Sequence, residues 1–226
     1  MAFLSLEDRR ALETAIESMQ QGGVIVFPTD TVYGLGASLR HPEALARIYE
    51  VKGRQSDKSL PVLISQPDLI TELTDAPDEE LLLLASRYWP GPLTVVLPAK
   101  PSLPAEVKAE DGTVGVRVPD HSIALTIAQH NGGAIATTSA NLSGEPPASH
   151  AEQVRDSIGD RVDVILDGGI APGGLASTVI RRDGDTITVI REGAISNDAI
   201  QRAWNEVRGC ANVALTDTMN HTASDD

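Results

Sequence analysis

The segment that most constrains the fold of this chain is residues 24–36, where a short apolar run stops at Pro28 and opens into a turn rich in threonine and glycine. A short helical pattern follows, and Lys52, Arg54 and Lys58 then lie close together. A buried strand followed by such a turn and by closely spaced bases is typical of α/β proteins that bind anionic ligands. The pattern is neither a Walker P-loop nor a dinucleotide fingerprint, because the Gly-Lys-Ser/Thr triplet and the third glycine are missing.

The rest of the chain alternates between apolar runs and helical patterns. Strands are predicted over residues 24–27, 61–65, 93–97, 114–118, 134–137, 162–166, 177–181 and 186–191, and several are apolar throughout, as expected for a sheet covered on both faces. Helices are predicted over residues 42–51, 67–73, 77–88, 123–131, 148–158 and 197–207, after a first helix capped by Ser5 and ended by Gly22. Asp183-Gly184 between the last two strands indicates a hairpin. The sequence therefore predicts an α/β domain with a mixed parallel and antiparallel sheet over residues 5–208, followed by a disordered tail over 209–226.

The composition limits the kinds of molecule that this protein is expected to bind. The net charge of −14 argues against non-specific binding to nucleic acid or to an anionic membrane. Cys210 is the only cysteine, which rules out an internal disulfide. No signal peptide and no apolar run near the length of a membrane span is present in this sequence, so a cytoplasmic protein is expected.

Cations and polar side chains recur at the predicted strand ends. The cations are Lys52, Arg54, Lys58, Arg117 and Arg191, and the hydroxyl and amide groups belong to Thr31, Thr113, Thr137, Ser139, Asn141 and Ser177. Arg117 is the most informative, because a guanidinium between valines is costly to bury without an anion; a water-facing edge strand or an internal ion pair is the alternative. We find no pattern typical of an activated nucleophile or a metal site. This set favours a site that positions a nucleoside triphosphate and a small carboxylate.

Six motifs together resemble the YrdC-like family, whose best-known members are the threonylcarbamoyl-AMP synthases. They are PTDTVYGLG (28–36), KGR (52–54), PGPLT (90–94), VGVRVP (114–119), TSANLSG (138–144) and STVI (177–180). The resemblance implies a single α/β domain on a twisted mixed sheet. It also implies that L-threonine, bicarbonate or CO₂, and ATP give L-threonylcarbamoyladenylate and pyrophosphate, with Mg²⁺ on the phosphates and no protein cage for it. The product would pass to partner proteins that modify tRNA, while direct tRNA binding is expected to be weak.

The resemblance also implies roles for individual residues. Lys52, Arg54, Ser139 and Asn141 match the family's catalytic signature and are expected to contact the nucleotide phosphates. Lys58, Thr113, Pro147 and Arg191 are expected to line the nucleotide site beside them. Thr31, Arg117, Thr137 and Ser177 are expected to hold threonine, with Arg117 on its carboxylate.

One position departs from the pattern of the family. Some members carry a histidine near threonine in the strand after the Lys-x-Arg segment, and this chain has Leu63 there. Two alternatives therefore stay open: a paralogue that activates another carbamoyl or amino-acid substrate, and an RNA-binding module. The acidic charge and the absence of aromatic stacking motifs argue against the second.

Overall fold

The structure is a computed structural model that describes residues 1–53 and 58–222, with side chains described up to residue 209. Within these ranges ten strands form one sheet: β1 (Ala2–Ser5), β2 (Ile25–Phe27), β3 (Gly34–Ser38), β4 (Val62–Ile64), β5 (Leu93–Pro98), β6 (Thr113–Arg117), β7 (Ala134–Ser139), β8 (Val164–Asp167), β9 (Thr178–Asp183) and β10 (Thr186–Arg191). The α-helices of the same described residues flank it: α1 (Ala11–Gln20), α2 (Pro42–Lys52), α3 (Glu79–Ala85), α4 (Ser122–His130), α5 (Ala151–Ile158) and α6 (Asn197–Thr222). Short 3₁₀ turns lie at Pro67–Glu72, Ala105–Val107 and Gly159–Arg161.

The strand order is β1-β8-β2-β3-β7-β4-β6-β5-β9-β10. The sheet contains parallel pairs (β1 with β8, β2 with β8, β4 with β6, β5 with β9) and antiparallel ones, including the predicted hairpin of β9 and β10. The prediction of an α/β domain with a mixed sheet is therefore confirmed.

Alternating side chains divide the core between the two faces of the sheet. Val62 and Ile64 in β4, with every second residue of β5 and β6, pack against α2, α3, α5 and α6. On the opposite face, Phe27, Leu63 and Ile135 pack against α1 and α4. These two helices pack mainly on β2, β3, β4, β7 and β8, and their apolar cluster includes no described residue of β5, β6 or β9. The second face is therefore covered at one end only.

Two strands were not predicted. In β1, Ala2 to Ser5 pair in parallel with β8 at the sheet edge, so Ser5 ends a strand and does not cap α1, which begins at Ala11. The strand β3 was not predicted because it contains Gly34 and Gly36, and glycine is rare in strands unless another chain segment approaches closely. A Cβ atom at Gly36 would lie 2.9 Å from the Ala136 carbonyl oxygen and 3.0 Å from the Phe27 ring.

The last helix is longer than predicted. The prediction ended it near Val207 and placed a disordered tail over residues 209–226; helical backbone continues to Thr222, and residues 223–226 lie outside the described residues. The apolar side chains that pack on the domain, Ile200, Ala203, Trp204 and Val207, lie in the first part of the helix. Helical hydrogen bonding needs no apolar face, which explains why periodicity alone missed the extension.

No helix among the described residues is long and apolar enough to span a membrane.

Candidate functional site

A cleft lies on the part of the second sheet face that α1 and α4 leave open. Burial along β6 marks its direction: Arg117 is buried, while Gly115 and Thr113, two and four residues before it on the same face, are partly exposed. Seven separate chain segments among the described residues line the cleft. The lining residues are Thr29, Thr31, Val32, Tyr33, Gly34, Pro61, Leu63, Thr94, Arg117, Thr137, Thr138, Ser139, Ala176, Ser177 and Arg191.

The turn after β2 supplies the first wall. The Thr29 hydroxyl donates to the Val32 carbonyl oxygen at 2.7 Å and accepts from the Thr31 N–H at 3.1 Å. Both threonines are buried, and their hydroxyls lie 3.0 Å apart. The threonine-rich pattern of the motif is therefore explained locally, because the hydroxyls satisfy a turn that no strand pairing holds.

Arg117 is the buried cation of the cleft. Its Nε donates to the Gly91 carbonyl oxygen at 2.9 Å, Nη1 to the Thr31 hydroxyl at 3.1 Å, and Nη2 to an Asp30 carboxylate oxygen at 2.5 Å. Burial lowers the pKa of Arg117 and Asp30 opposes that shift, yet an arginine stays charged at neutral pH. The internal ion pair considered as an alternative is thus present, and Arg117 lines the cleft as well.

The second wall combines β5, β9 and β10. The Ser177 hydroxyl lies 2.9 Å from the Thr94 hydroxyl, and Arg191 Nη2 donates to the Ser177 carbonyl oxygen at 2.8 Å and its hydroxyl at 3.2 Å. Ser177 and Thr94 are buried. The structure therefore brings the predicted residues Ser177 and Arg191 together beside Arg117.

The floor of the cleft comes from β4 and β7. Thr137 lines it, but the Thr137 hydroxyl is buried beside Gly36 and has no hydrogen-bond partner among the residues the structure describes. Ser139 is partly exposed at the end of β7, and Leu63 contributes an apolar side chain. Leu63 thus places a hydrocarbon surface where some members of the resembled family carry a histidine.

Lys52 and Asn141 do not line the cleft, although they were predicted to contact phosphates. The buried Lys52 ammonium donates to the carbonyl oxygens of Ser139 at 2.6 Å and Asn141 at 2.9 Å, and lies 3.3 Å from the Asn141 amide oxygen. The Asn141 amide nitrogen donates to the carbonyl oxygens of Leu142 and Glu145 at 2.8 and 2.7 Å. In this structure both side chains fix the end of β7, where Ser139 lies, and the loop that follows it.

The remaining predicted nucleotide contacts lie away from the lining of the cleft. Lys58 and Pro147 are exposed, and Arg54 lies outside the described residues. Thr113 is on the open face, but its hydroxyl donates to an Asp111 carboxylate oxygen at 2.6 Å. The four-residue offset along β6 places Thr113 roughly 13 Å from Arg117. The roles assigned to these residues stay predictions.

Sequence reasoning missed three residues that shape the cleft. Asp30 binds Arg117. Thr94 lies opposite Val179 in the β5–β9 register, beside Ser177, and Tyr33 lines the first wall. Asp30, Thr94 and Tyr33 all stand inside quoted motifs. Knowledge of the strand register would have been needed to find their partners.

The described residues do not include a group of three or more histidine, cysteine, aspartate or glutamate side chains able to hold a metal ion. Asp30, beside the cleft-lining Thr31, binds Arg117.

Comparison with known proteins adds an independent finding. The sequence model of the Sua5/YciO/YrdC family, described as "Telomere recombination", matches residues 17–193. The threonylcarbamoyl-AMP synthase of Bacillus subtilis is 40% identical over 199 residues, which cover 88% of this chain and 57% of that protein. The chain thus spans little more than half of that relative.

Solved structures agree with the fold. The structure of Pyrococcus abyssi Sua5 complexed with L-threonine superposes with a TM-score of 0.83 at 34% identity, covering 89% of this chain and 60% of that one. Escherichia coli YciO superposes with a TM-score of 0.80 at 28% identity, covering 88% of this chain and all of that one.

Proposed function

Because the chain belongs to the Sua5/YciO/YrdC family, we propose that it is an L-threonylcarbamoyladenylate synthase, a nucleotidyltransferase that uses L-threonine, bicarbonate or CO₂, and ATP. The observation that carries the proposal is the convergence of Thr31, Arg117, Ser177 and Arg191, from four distant segments, on one cleft. A relative named as this synthase and a related structure solved with L-threonine support the choice of substrate.

Arg117 is the group that would bind the threonine carboxylate. Its guanidinium has more N–H groups than its bonds to Gly91, Thr31 and Asp30 use, and it faces the cleft. Asp30 fixes the orientation of the guanidinium before substrate arrives, which lowers the entropic cost of binding. The hydroxyls of Thr31 and Ser177 flank the same space and would accept or donate bonds to the amino acid.

The open face would hold the nucleotide. From Arg117 the open sheet face continues past Gly115 toward Thr113, a direction in which side chains are small and partly exposed. A Cβ atom at Gly115 would lie 3.3 Å from the Thr94 side chain and 3.9 Å from Pro61. Glycine at this position therefore leaves space above the strand that a side chain would fill. An extended substrate fits a shallow groove along a strand better than a compact one does.

The reaction needs charge neutralisation and positioning. The threonine amine and CO₂ give a carbamate with loss of a proton; a carbamate oxygen then attacks the α-phosphorus of ATP, and pyrophosphate leaves. Two anions must approach each other, so Arg117, Arg191 and the Mg²⁺ carried by the triphosphate would lower the repulsion between them. Lys52 and Asn141 would act by holding the Ser139 loop in place.

Pyrophosphate release tests this proposal. Release is expected to require threonine, bicarbonate and ATP together, and Arg117→Gln is expected to raise the threonine KM roughly 10–100-fold, the equivalent of about 1.5–3 kcal/mol for a charge-assisted hydrogen bond. Arg87→Gln, which removes a surface arginine paired with Glu206, is the matched control. Release without threonine, or a wild-type KM in folded Arg117→Gln, would reject the proposal.

Leu63 in the cleft lining favours a second candidate, a paralogue for another amino acid. A panel of threonine, serine and valine separates the two: threonine should be preferred by the synthase, and equal use of serine would favour the paralogue.

Downstream tRNA-modifying partners and a cytoplasmic location belong to the proposal and are tested by neither assay.

A further inference from the structure

The loop between β8 and β9 crosses directly over the turn that carries Asp30 and Thr31. We call residues 168–176 the glycine strap. At Gly173 a Cβ atom would lie 2.7 Å from the Asp30 carbonyl oxygen, 2.8 Å from Thr31 Cα and 2.9 Å from the Thr31 carbonyl oxygen. Real Cβ atoms essentially never approach backbone below 3.0 Å. Glycine is therefore required at position 173 by the closeness of the turn.

Hydrogen bonds hold the strap at both ends of this contact. The Tyr33 hydroxyl accepts from the Gly168 N–H at 3.1 Å and donates to the Gly169 carbonyl oxygen at 2.7 Å. The Gly174 N–H donates to the Thr31 carbonyl oxygen at 3.0 Å. Tyr33 is fully buried, so this anchor does not compete with water.

The strap matters because the turn has little else to fix it. Residues 28–33 belong to no strand, and their other hydrogen bonds within the described chain include those of the Thr29 hydroxyl, those of Tyr33 to Ala148 and Ala140, and those that Arg117 donates to Asp30 and Thr31. Asp30 and Thr31 in turn hold the guanidinium of Arg117. A displacement of the strap would therefore be transmitted to the cation of the cleft.

The same strap also sets the opposite wall. It runs straight into Ala176 and Ser177, and the Ala176 carbonyl oxygen accepts from the Ala194 N–H at 3.0 Å. One loop thus touches the Thr31 side of the cleft at Gly173 and becomes the Ser177 side a few residues later. The distance between the two walls therefore depends on the position of the glycine strap.

We propose that the glycine strap fixes the spacing of the amino-acid site, with Gly173 and the Tyr33 hydroxyl as positioning residues for Thr31 and the Asp30–Arg117 pair. This inference rests on the proposed function for the identity of the amino acid. Gly173 and the Tyr33 hydroxyl act through the turn and need not touch the substrate.

Gly173→Ala tests the inference against a control with the same crowding elsewhere. Gly23→Ala places a Cβ atom 2.3 Å from the Ser18 hydroxyl and 2.7 Å from its carbonyl oxygen, far from the cleft. Calorimetric titration with threonine should give a Kd at least about tenfold higher for Gly173→Ala and an unchanged Kd for Gly23→Ala, while the Kd for ATP changes less than about threefold in both. Folded Gly173→Ala with the wild-type threonine Kd would overturn the inference.

Tyr33→Phe is a milder test, because it removes one oxygen atom. If Gly173→Ala does not fold, this variant alone tests whether the glycine strap positions the amino-acid site. It should raise the threonine Kd severalfold. Tyr88→Phe, which removes a hydroxyl 3.4 Å from the Ala199 carbonyl oxygen, should leave it unchanged. Equal threonine Kd values in Tyr33→Phe and Tyr88→Phe would contradict positioning by the glycine strap.

Hydrogen exchange separates failure of the strap from failure of the proposed function. If the unsubstituted protein binds no threonine, the proposed function falls. Exchange of the peptide covering residues 28–34 still reports on the strap, because it should quicken in Gly173→Ala and Tyr33→Phe and stay at the wild-type rate in Tyr88→Phe. Unchanged exchange in both strap variants would refute positioning by the strap.

Discussion

At the scale of single residues, the polar side chains predicted to belong to the site have two different roles in the structure. Arg117, Ser177 and Arg191 face the cleft, whereas Lys52 and Asn141 bind backbone and each other. Their sequence motifs do not distinguish the two roles, because a lysine that binds phosphate and a lysine that binds carbonyl oxygens present the same residue type after a helix. The distinction depends on where the loop after β7 folds back.

Lys52→Met tests the positioning role. The ammonium is 4% exposed and donates to two backbone carbonyl oxygens of that loop. Its removal should lower the free energy of unfolding by about 2 kcal/mol, since bonds to charged groups contribute roughly 1.5–3 kcal/mol and part of the cost of burying the charge is recovered.

Urea unfolding measures this change, with Lys100→Met as the control because Lys100 pairs with the exposed Asp75 at 3.3 Å. An unfolding free energy equal to that of Lys100→Met would mean that Lys52 does not hold the loop.

At the scale of elements, apolar runs located eight of the ten strands, and the Asp-Gly dipeptide located the hairpin of β9 and β10. The order of strands in the sheet could not be predicted, because β7 lies between β3 and β4 and thereby separates neighbours along the chain. The cleft follows from that order. It lies on the part of the sheet face that α1 and α4 do not cover, and the polar residues at the strand ends supply only part of its lining.

The start of α4 carries a pH-sensitive group. His121 precedes the helix and is half-buried, and its Nδ1 is buried without a hydrogen-bond partner in the described part of the chain. Burial lowers the pKa of His121, against the smaller opposing effects of Asp30 and Asp120.

A histidine with a lowered pKa binds its proton more readily in the unfolded chain, where the pKa is about 6.5. Stability should therefore fall as pH drops below about 6.5, until the folded pKa is passed. His121→Gln should reduce this loss. Urea unfolding at several pH values measures it, and His130→Gln, at an exposed site near the end of α4, should retain the wild-type dependence. The same pH dependence in His121→Gln and the wild type would exclude His121 as the cause.

At the scale of the whole molecule, an acidic protein carries a locally cationic cleft. The net charge is −14, while the residues lining the cleft include Arg117 and Arg191 and no carboxylate. Long-range repulsion therefore opposes a large polyanion, and a small anion can still be bound by close contacts. Charge and composition alone predicted this preference, and the position of the cations required the fold.

Direct binding of tRNA is accordingly expected to be weak and to depend only shallowly on salt. Fluorescence anisotropy with labelled tRNA between about 50 and 200 mM salt measures it, with a basic tRNA-binding protein as the positive control. Tight binding without ATP that weakens steeply with salt would instead support the RNA-binding alternative.

We propose that distant segments form one site for an amino acid and a nucleotide on the open sheet face. A crystal structure with threonine and a non-hydrolysable ATP analogue would show whether they do. The threonine carboxylate is expected on Arg117 between Thr31 and Ser177, with the nucleotide extending along β6 toward Thr113. Threonine bound elsewhere, or a nucleotide on the opposite face, would refute this arrangement.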